Sequence, residues 1–444
     1  MNYIIFDDSS IRAILLPLTF VRPVSEIRFG IDTITEKWQS YLDNTVSFAT
    51  QDYLQEKYPL QLQSDNIFIN GAVCPNPALL EAIQGLSSGQ LLSFEGVTLA
   101  YRAASLLDTF DTIEVIEWDG AATIIRQLTD IFLLNGEQIK ADFARITHGR
   151  TSQPITDRFT AVYNESQIFV EEGVNIKAAT LNAEKGPIYL GKDVIIMEGA
   201  KIQGPFAILE GSVVNLDGKM RPNTTIGPGC KVGGEVNNII IFGYTSKGHE
   251  GFIGNSVIGE WCNFGADTNS SNLKNNYSPV KLWNYRIKAF EDTGLQFAGL
   301  IMGDHSKTAI NTQLNTGTVI GVASNIFKPG FPPNLVENFS WGGLKDDERF
   351  KLDKVYEVAR TPSGKEERGE KFKALFDEVQ RSNMSKACIT EEEAKATVKH
   401  YEDKGTPCFY EKEGDLFLVF REGDHKTLKS VNYSPADLKG LLKQ

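Results

Sequence analysis

A period of six residues marks the middle of this 444-residue chain. An aliphatic side chain recurs at every sixth position, at Leu190, Ile196, Ile202, Ile208, Val214, Met220, Ile226 and Val232. Neither the period of about 3.6 residues of an α-helix nor the two-residue alternation of a simple strand produces this spacing. A parallel β-helix does, because each face of its coil buries one aliphatic side chain and three faces complete a triangular coil. The repeat therefore predicts a β-solenoid.

The six-residue register lapses and resumes twice. It returns at Phe252, Ile258 and Phe264, and again at Met302, Thr308, Leu314, Ile320 and Ile326. We therefore expect the solenoid to occupy residues 166–330. Residues 272–299 keep no such spacing, and we interpret them as a loop that leaves the coil. Insertions of this kind often lie on the binding face of a solenoid.

Different patterns flank the repeat on both sides. Residues 1–150 alternate β-branched or aromatic runs with helical stretches, as in NYIIFD and NPALLEAIQ, which predicts an α/β domain. A linker is expected near residues 147–165, where periodicity is poor. Residues 331–383 are charged and are predicted to form a helical extension. Residues 384–444 predict a small α+β module of order αββα, which we hypothesise to be an appended unit; its hairpin is PCFYEKEGDLFLVFREG.

Composition excludes several classes of protein. The chain has 45 Lys and Arg against 57 Asp and Glu, a formal net charge of −12, so nucleic acid is not an expected partner. No apolar run approaches the roughly 20 residues that span a bilayer, so no membrane association is expected. Acids occur where a signal peptide would be basic, and the five cysteines show no CxxC spacing. We therefore expect a cytoplasmic protein in a reducing compartment.

The stretch LLPLTFVRPVSEI, residues 15–27, resembles the second half of the signature of sugar nucleotidyltransferases. The matching residues are Pro17, Leu18, Thr19 and Pro23. The resemblance implies a Rossmann-like α/β fold and binding of a sugar nucleotide, with Arg22 as the candidate substrate-binding cation. The Gly-x-Gly turn that cradles phosphates in the family is replaced by DDSSIRAI, and its metal-binding Gly-Asp pair by Gly71 and Ala72. Magnesium is expected only if this domain is catalytic, and a degenerate domain that binds or supports is the alternative.

The stretch SKGHEGFIG, with KMRP before it, carries a second resemblance. An α/β domain followed by these motifs in a six-residue repeat is similar to the bifunctional N-acetylglucosamine-1-phosphate uridylyltransferase/glucosamine-1-phosphate acetyltransferase family. The resemblance implies a left-handed parallel β-helix and a homotrimer. It makes His249 the catalytic base and places Lys219 and Arg221 in the basic substrate-binding stretch.

Three further residues match that family at the expected distances from His249. The resemblance makes Asn263 and Asn272 substrate-binding residues and Ala266 a contact of acetyl-CoA, the implied cosubstrate. The chain departs from the family at Phe252, Asn237 and Leu273, where tyrosine, lysine and tyrosine are expected. These departures leave the sugar open.

The implied reaction is transfer of an acyl group from coenzyme A to an amino-sugar phosphate or a nucleotide-linked amino sugar. It requires a base that removes a proton from the amine, and histidine can do so near neutral pH without a metal. His305, in MGDHSKTAIN, is the rival base. Two alternatives stay open: a sugar-1-phosphate nucleotidyltransferase acting through the first domain, and a non-catalytic sugar-nucleotide-binding scaffold.

Overall fold

The computed structural model describes residues 1–344 except 108, 111 and 112, residues 349–351, 354, 355 and 379, and three strands near the carboxyl end. The chain forms two compact units, residues 1–373 and 374–444. Within the described residues, no helix combines the length and apolar character that crossing a membrane requires.

The first part of the chain is a mixed α/β domain, as predicted. Its strands are β1 Asn2–Phe6, β2 Ser47–Ala49, β3 Asn66–Asn70, β4 Val73–Cys74, β5 Gln90–Phe94, β6 Val97–Ala103, β7 Glu114–Glu117 and β8 Thr123–Ile124. Six of them form a sheet of order β2-β1-β3-β6-β5-β7, in which β1 is parallel to β2 and β3 while β6 is antiparallel to its neighbours. The helices are α1 Ser9–Ile14, α2 Ile34–Leu42, α3 Pro77–Gln84, α4 Leu128–Leu133 and α5 Asn135–Thr147.

Local sequence explains where these helices begin. Thr33 and Glu36 form a reciprocal capping box at the start of α2, and Asn76 caps α3 ahead of Pro77. Trp38 of α2 is fully buried, and its indole N–H donates to the carbonyl of Val73 at 2.7 Å. The helix is thereby fixed on the sheet by one polar contact inside an apolar core.

The six-residue repeat forms a parallel β-solenoid whose paired strands run from Ala161 to Gly342, beyond both expected limits. One sheet contains Ala161–Tyr163, Ile168–Val170, Thr180–Asn182, Ile188–Leu190, Lys201–Gln203, Phe206–Ile208, Lys219–Met220, Thr224–Ile226, Glu235–Gly243, Phe252–Glu260, Ile301–Met302, Val319–Ile320 and Leu335–Val336. A second contains Asn175–Ile176, Ile195–Ile196, Val213–Val214, Lys231–Val232, Ser246–Lys247, Asn263–Phe264, Lys307–Thr308, Asn325–Ile326 and Trp341–Gly342. Asn269–Ser270 pairs with Gln313–Leu314.

The pairing register confirms three hexads per coil. Leu190 pairs with Ile208, which pairs with Ile226, and each partner lies three hexads further along the chain. All three side chains are fully buried in one aliphatic core that runs along the solenoid. The last two strands lie in the segment 331–383, so its first part continues the solenoid and is not helical as predicted.

The first domain packs directly on the solenoid. In the strand Glu235–Gly243, Ile241 lies in the solenoid core, whereas Ile240 and Phe242 lie in the core of the first domain. An apolar run that is buried on both faces is the expected sequence of such a strand. The two parts of the chain therefore share a continuous hydrophobic interface.

The segment 272–299 leaves the coil, as interpreted from the sequence. It contains an antiparallel hairpin, Lys281–Asn284 with Ala289–Asp292. Val280 and Leu282 are buried in the same core as the first domain, so this insertion packs against that domain.

In the second unit, Cys408–Lys412, Asp415–Glu422 and Thr427–Tyr433 form an antiparallel sheet. The first two strands are the predicted hairpin, and the third was not predicted. The two helices of the predicted αββα order lie outside the described residues.

Candidate functional site

His249 stands at an exposed corner of the solenoid, between the strands Ser246–Lys247 and Phe252–Glu260. Glu250 beside it is also exposed. Gly251 follows with φ of +119°, and a Cβ there would come within 2.2 Å of the carbonyl oxygen of Thr268. The corner therefore requires glycine at this position to approach the coil that follows.

Two predicted basic residues lie on the same side as this corner. Lys219 Nζ and Glu250 Oε2 lie 3.9 Å apart, and Arg221 Nη1 lies 3.3 Å from Glu235 Oε1. Lys219 and Glu235 are also register partners. The structure thus groups two cations and two carboxylates around the His249 corner, and all four side chains are at least one-third exposed.

Asn263 and Ala266 lie in the coil that follows His249. Asn263 is exposed and is the register partner of Ser246, three residues before His249. Asp267, which follows Ala266, donates its backbone N–H to the carbonyl oxygen of Glu250 at 3.0 Å. The two coils are therefore tied together at this corner.

Asn272 lies farther along the same coil. Its side-chain amide donates to Asn255 Oδ1 at 2.8 Å. Within the described part of the chain, no hydrogen bond joins the His249 imidazole to another residue. The predicted site residues on the solenoid therefore line one edge without forming a closed cluster in a single chain.

The rival base, His305, has a different environment. It is 5% exposed, and its ring stacks on Trp261 with centroids 6.3 Å apart. Burial, together with the nearby charges of Lys307, Arg22 and Lys57, lowers the pKa of His305 to about 3. A histidine with this pKa is a weak base, and it lies inside the domain interface.

Arg22 also lies in that interface. Its guanidinium makes a bidentate ion pair with Asp304, at 3.0 Å and 2.9 Å, and approaches Glu260 at 3.3 Å. Burial alone would lower the pKa of Arg22, but attraction by Asp304 and Glu260 outweighs it and raises that pKa above its ordinary value. Arg22, the candidate substrate-binding cation, therefore binds Asp304 of the solenoid and links the first domain to it.

The segment that replaces the glycine-rich turn is folded on itself. Asp8 caps α1, and the carboxylate of Asp7 accepts from Arg12 Nε at 3.2 Å, Thr50 Oγ1 at 2.5 Å and the backbone N–H of Val24 at 2.8 Å. Burial raises the pKa of Asp7, and Arg12 acts against that rise. Asp7 is therefore already saturated by contacts within its own domain.

These residues do not fit a magnesium site. Ala72, at the position of the family's metal carboxylate, is fully buried and offers no ligand. Across the described residues, no group of three or more His, Cys, Asp or Glu side chains is arranged to hold a metal ion. Magnesium favours carboxylate and water ligands, and Ala72 supplies no carboxylate at this position.

Residues 3–151 match a protein-family model described as sugar nucleotidyl transferase. The resemblance of the first domain is confirmed.

Several relatives resemble parts of the chain. A protein named bifunctional protein GlmU from Methanocaldococcus jannaschii is 36% identical over 104 residues, 23% of this chain and 25% of the relative. The bifunctional sugar-1-phosphate nucleotidylyltransferase/acetyltransferase of Sulfurisphaera tokodaii is 32% identical over 171 residues, 38% of this chain and 40% of the relative. A putative uncharacterized acetyltransferase of Escherichia coli, YaiX, is 26% identical over 196 residues, 43% of this chain and 84% of the relative.

The chain thus spans about a quarter to two-fifths of the length of the GlmU-like relatives. Two of these names denote transferases, and the name of the Sulfurisphaera tokodaii relative agrees with the architecture of a nucleotidyltransferase-like domain before a solenoid.

Proposed function

We propose that this chain is an acyltransferase that moves an acetyl or other acyl group from coenzyme A to an amino-sugar phosphate or a nucleotide-linked amino sugar. The observation that carries the proposal is the exposed corner at which His249 lies beside Glu250, with Lys219 nearby and Asn263 and Ala266 in the next coil. The acetyltransferase names of two relatives support the same class of reaction.

His249 is the general base of the proposed reaction. Its imidazole takes a proton from the sugar amine while the amine nitrogen attacks the thioester carbonyl carbon. The carbon–sulfur bond then breaks, and the departing thiolate receives the proton from the imidazolium. His249 returns to its neutral form, and coenzyme A leaves as the free thiol. General base catalysis of this kind contributes about 100-fold to 10,000-fold to a rate.

The other residues bind and orient the substrates. Lys219 and Arg221 supply positive charge for a phosphate, and Asn263 and Asn272 offer amide groups to the sugar. Asn272 would exchange its present bond to Asn255 for one to the substrate. The backbone N–H of Ala266 stabilises the oxyanion of the tetrahedral intermediate. The N–H groups of Gly265, Asp267 and Thr268 already donate to carbonyls within the solenoid.

A homotrimer with sites between subunits is part of the proposal. It rests on the resemblance to the uridylyltransferase/acetyltransferase family. It agrees with the position of the candidate site residues along one edge of the solenoid, where a single chain does not enclose them. Acetyl-CoA and sugar phosphates as substrates also favour a cytoplasmic protein.

The test is a thiol-release assay with acetyl-CoA and a panel of amino-sugar phosphates. His249→Ala is expected to lower kcat by about 100-fold or more. His148→Ala, which removes an exposed histidine at the end of α5, is the matched control and should retain full activity. His305→Ala should lower stability, while the folded fraction keeps its turnover.

Two results would contradict the proposal. If no amino sugar is acylated, the reaction class is wrong. If His249→Ala retains turnover while His305→Ala abolishes it, the base is His305.

Nucleotidyl transfer by the first domain is the second candidate, because residues 3–151 match that family model. Its test is pyrophosphate release from any nucleoside triphosphate, with and without magnesium. The buried contacts of Asp7 and Arg22 argue against it.

If neither reaction occurs, the non-catalytic scaffold remains. A variant lacking residues 384–444 then tests whether that module recruits a partner.

A further inference from the structure

A lysine occupies a position in the solenoid where the repeat places an aliphatic residue. In the second sheet, Val214 pairs with Val232, and Val232 pairs with Lys247. The next coil places Phe264 in the same column. Lys247 is 2% exposed, as buried as its apolar neighbours. Its side chain therefore starts inside the core of the solenoid.

The ammonium group of Lys247 ends between two corners. Nζ donates to the carbonyl oxygen of Gly233, at the corner of the preceding coil, at 2.9 Å. It also donates to the carbonyl oxygen of His249 at 2.9 Å. A Cβ on Gly234 would lie 2.9 Å from Nζ, so glycine at that position leaves room for the group. One side chain thus joins the corner carrying His249 to the coil before it.

A second contact acts on the same segment. Asn215 Nδ2 donates to the carbonyl oxygen of Gly248 at 2.7 Å. The two consecutive carbonyls before and at His249 are therefore each held by a side chain from within the solenoid. The imidazole itself is exposed, so these backbone contacts are what fixes the position of the ring relative to the coil.

Solenoid packing alone does not favour a lysine at this position. An apolar residue of similar volume would fill the column without removing a charge from water. Burial lowers the pKa of Lys247 to about 8, and the carboxylates of Glu250 and Asp267 act against that fall, while Lys219 adds to it. The two carbonyl contacts offset part of the cost of burying the ammonium, and both of these serve the corner.

We propose that Lys247 is a positioning residue for His249: its ammonium group holds the backbone of His249 against the preceding coil and so fixes where the imidazole meets the substrate amine. This inference rests on the proposed acyl transfer for its catalytic consequence. We call the two contacts of the Lys247 ammonium, with the carbonyl oxygens of Gly233 and His249, the tether. These contacts do not require substrate, so they can be measured in the free protein.

The test uses Lys247→Met, which keeps an apolar side chain of similar length in the column. Lys307→Met is the matched control, because Lys307 Nζ donates in the same way to the carbonyl oxygen of His305 at 3.0 Å. In Lys247→Met, amide hydrogen exchange of Phe252 and Asp267, whose N–H groups donate to Asn269 Oδ1 and to the carbonyl oxygen of Glu250, should rise by about ten-fold or more, as expected for loss of a charged hydrogen bond at this corner. In Lys307→Met the exchange of these residues should be unchanged.

Turnover gives the second measurement. Lys247→Met should lower kcat by about ten-fold, and KM for acetyl-CoA should change by less than about two-fold, because the loss acts on the base and not on cosubstrate binding. Wild-type kcat is expected to fall above about pH 8, as Lys247 deprotonates, and this fall should be absent in the variant. If kcat and its pH profile are unchanged, the positioning role is wrong.

Failure of the inference is distinguishable from failure of the proposed function. If the wild type acylates no amine, acyl transfer fails, whereas a selective rise in exchange at Phe252 and Asp267 still supports the tether. Unchanged exchange overturns the tether whether or not the protein is an acyltransferase. If Lys247→Met does not fold, amide exchange of the wild type is measured as a function of pH instead and is corrected for the intrinsic pH dependence of exchange. Protection of Phe252 and Asp267 that falls through pH 8 supports the tether, and constant protection refutes it.

Discussion

Removing one partner of the Arg22–Asp304 ion pair should strongly destabilise the attachment of the first domain to the solenoid. Arg22→Met takes away the guanidinium and leaves the Asp304 carboxylate 1% exposed. The carboxylate would keep the backbone N–H of Glu260 as a hydrogen-bond donor but lose both bonds to Arg22. An uncompensated buried charge of this kind costs about 3–5 kcal/mol.

The complementary change should cost less. Asp304→Asn leaves Arg22 buried, but Glu260 still approaches its guanidinium at 3.3 Å. The double variant should be more stable than the sum of the two single effects predicts, by about 2 kcal/mol, because it leaves no isolated charge from the pair. Arg126→Met is the control: its partner, Glu95, is 2.7 Å away but exposed, and surface pairs contribute about 0–1 kcal/mol.

The measurement is urea unfolding at pH 7.5, followed by tryptophan fluorescence and by circular dichroism, with limited proteolysis of the linker near residues 147–165. Arg22→Met should lower the midpoint and expose the linker to cleavage before the solenoid unfolds. Equal free energies of unfolding for Arg22→Met and Arg126→Met would refute a stabilising role of the buried ion pair. Additive effects of the two single variants in the double variant would refute it as well.

Three other predictions follow from buried groups. Asn135→Ala should cost about 2 kcal/mol in urea unfolding, because the fully buried Asn135 bonds the first domain to the solenoid through its side-chain amide. Cys74, Cys230 and Cys262 should resist alkylation at pH 8 until the protein unfolds, as checked by mass spectrometry, because burial raises the pKa of each thiol to about 12. The pKa of Lys247 falls from 10.5 to about 8 on folding, so only the unfolded chain holds this proton between those values. Stability should therefore rise with pH across that window, by up to about 3 kcal/mol, relative to a Lys247→Met variant measured in parallel.

The sequence predicted the coil because spacing and burial are linked directly in a solenoid. Each hexad position has a single inward side chain, so the pattern reports both the face and the turn. The six-residue pattern could not predict the number of residues in every coil. After Val232 the inward positions are Val236, Ile241 and Lys247, so the corner at Gly234 is shorter than a hexad. This shortened coil is the physical cause of the lapse in register before His249.

The interface was harder to predict than the coil. Ion pairs such as Arg22 with Asp304 join residues 282 positions apart, and no local pattern links them. One signal was nevertheless available: Ile240 and Phe242 are apolar at positions that point out of the coil. A solenoid strand that is apolar on both faces has to be covered by another part of the chain. Lys247 carried a similar signal, because it follows Ile241 by six residues and therefore stands in an inward position.

The segment of residues 15–27 that resembles the nucleotidyltransferase signature lies in the interface between the first domain and the solenoid. This position helps to decide which part of the chain carries the active site. Arg22 binds Asp304, Arg28 donates to the carbonyl oxygen of Phe242 at 3.1 Å, and Phe20 packs edge-on against Tyr285 of the insertion. A ligand that needed this segment would have to separate the domain from the solenoid and break these contacts together. The His249 corner needs no such separation, because the side chains of His249, Lys219, Arg221 and Asn263 are already exposed. The same interface that closes one candidate site therefore leaves the other open, which is why we assign the proposed reaction to the solenoid.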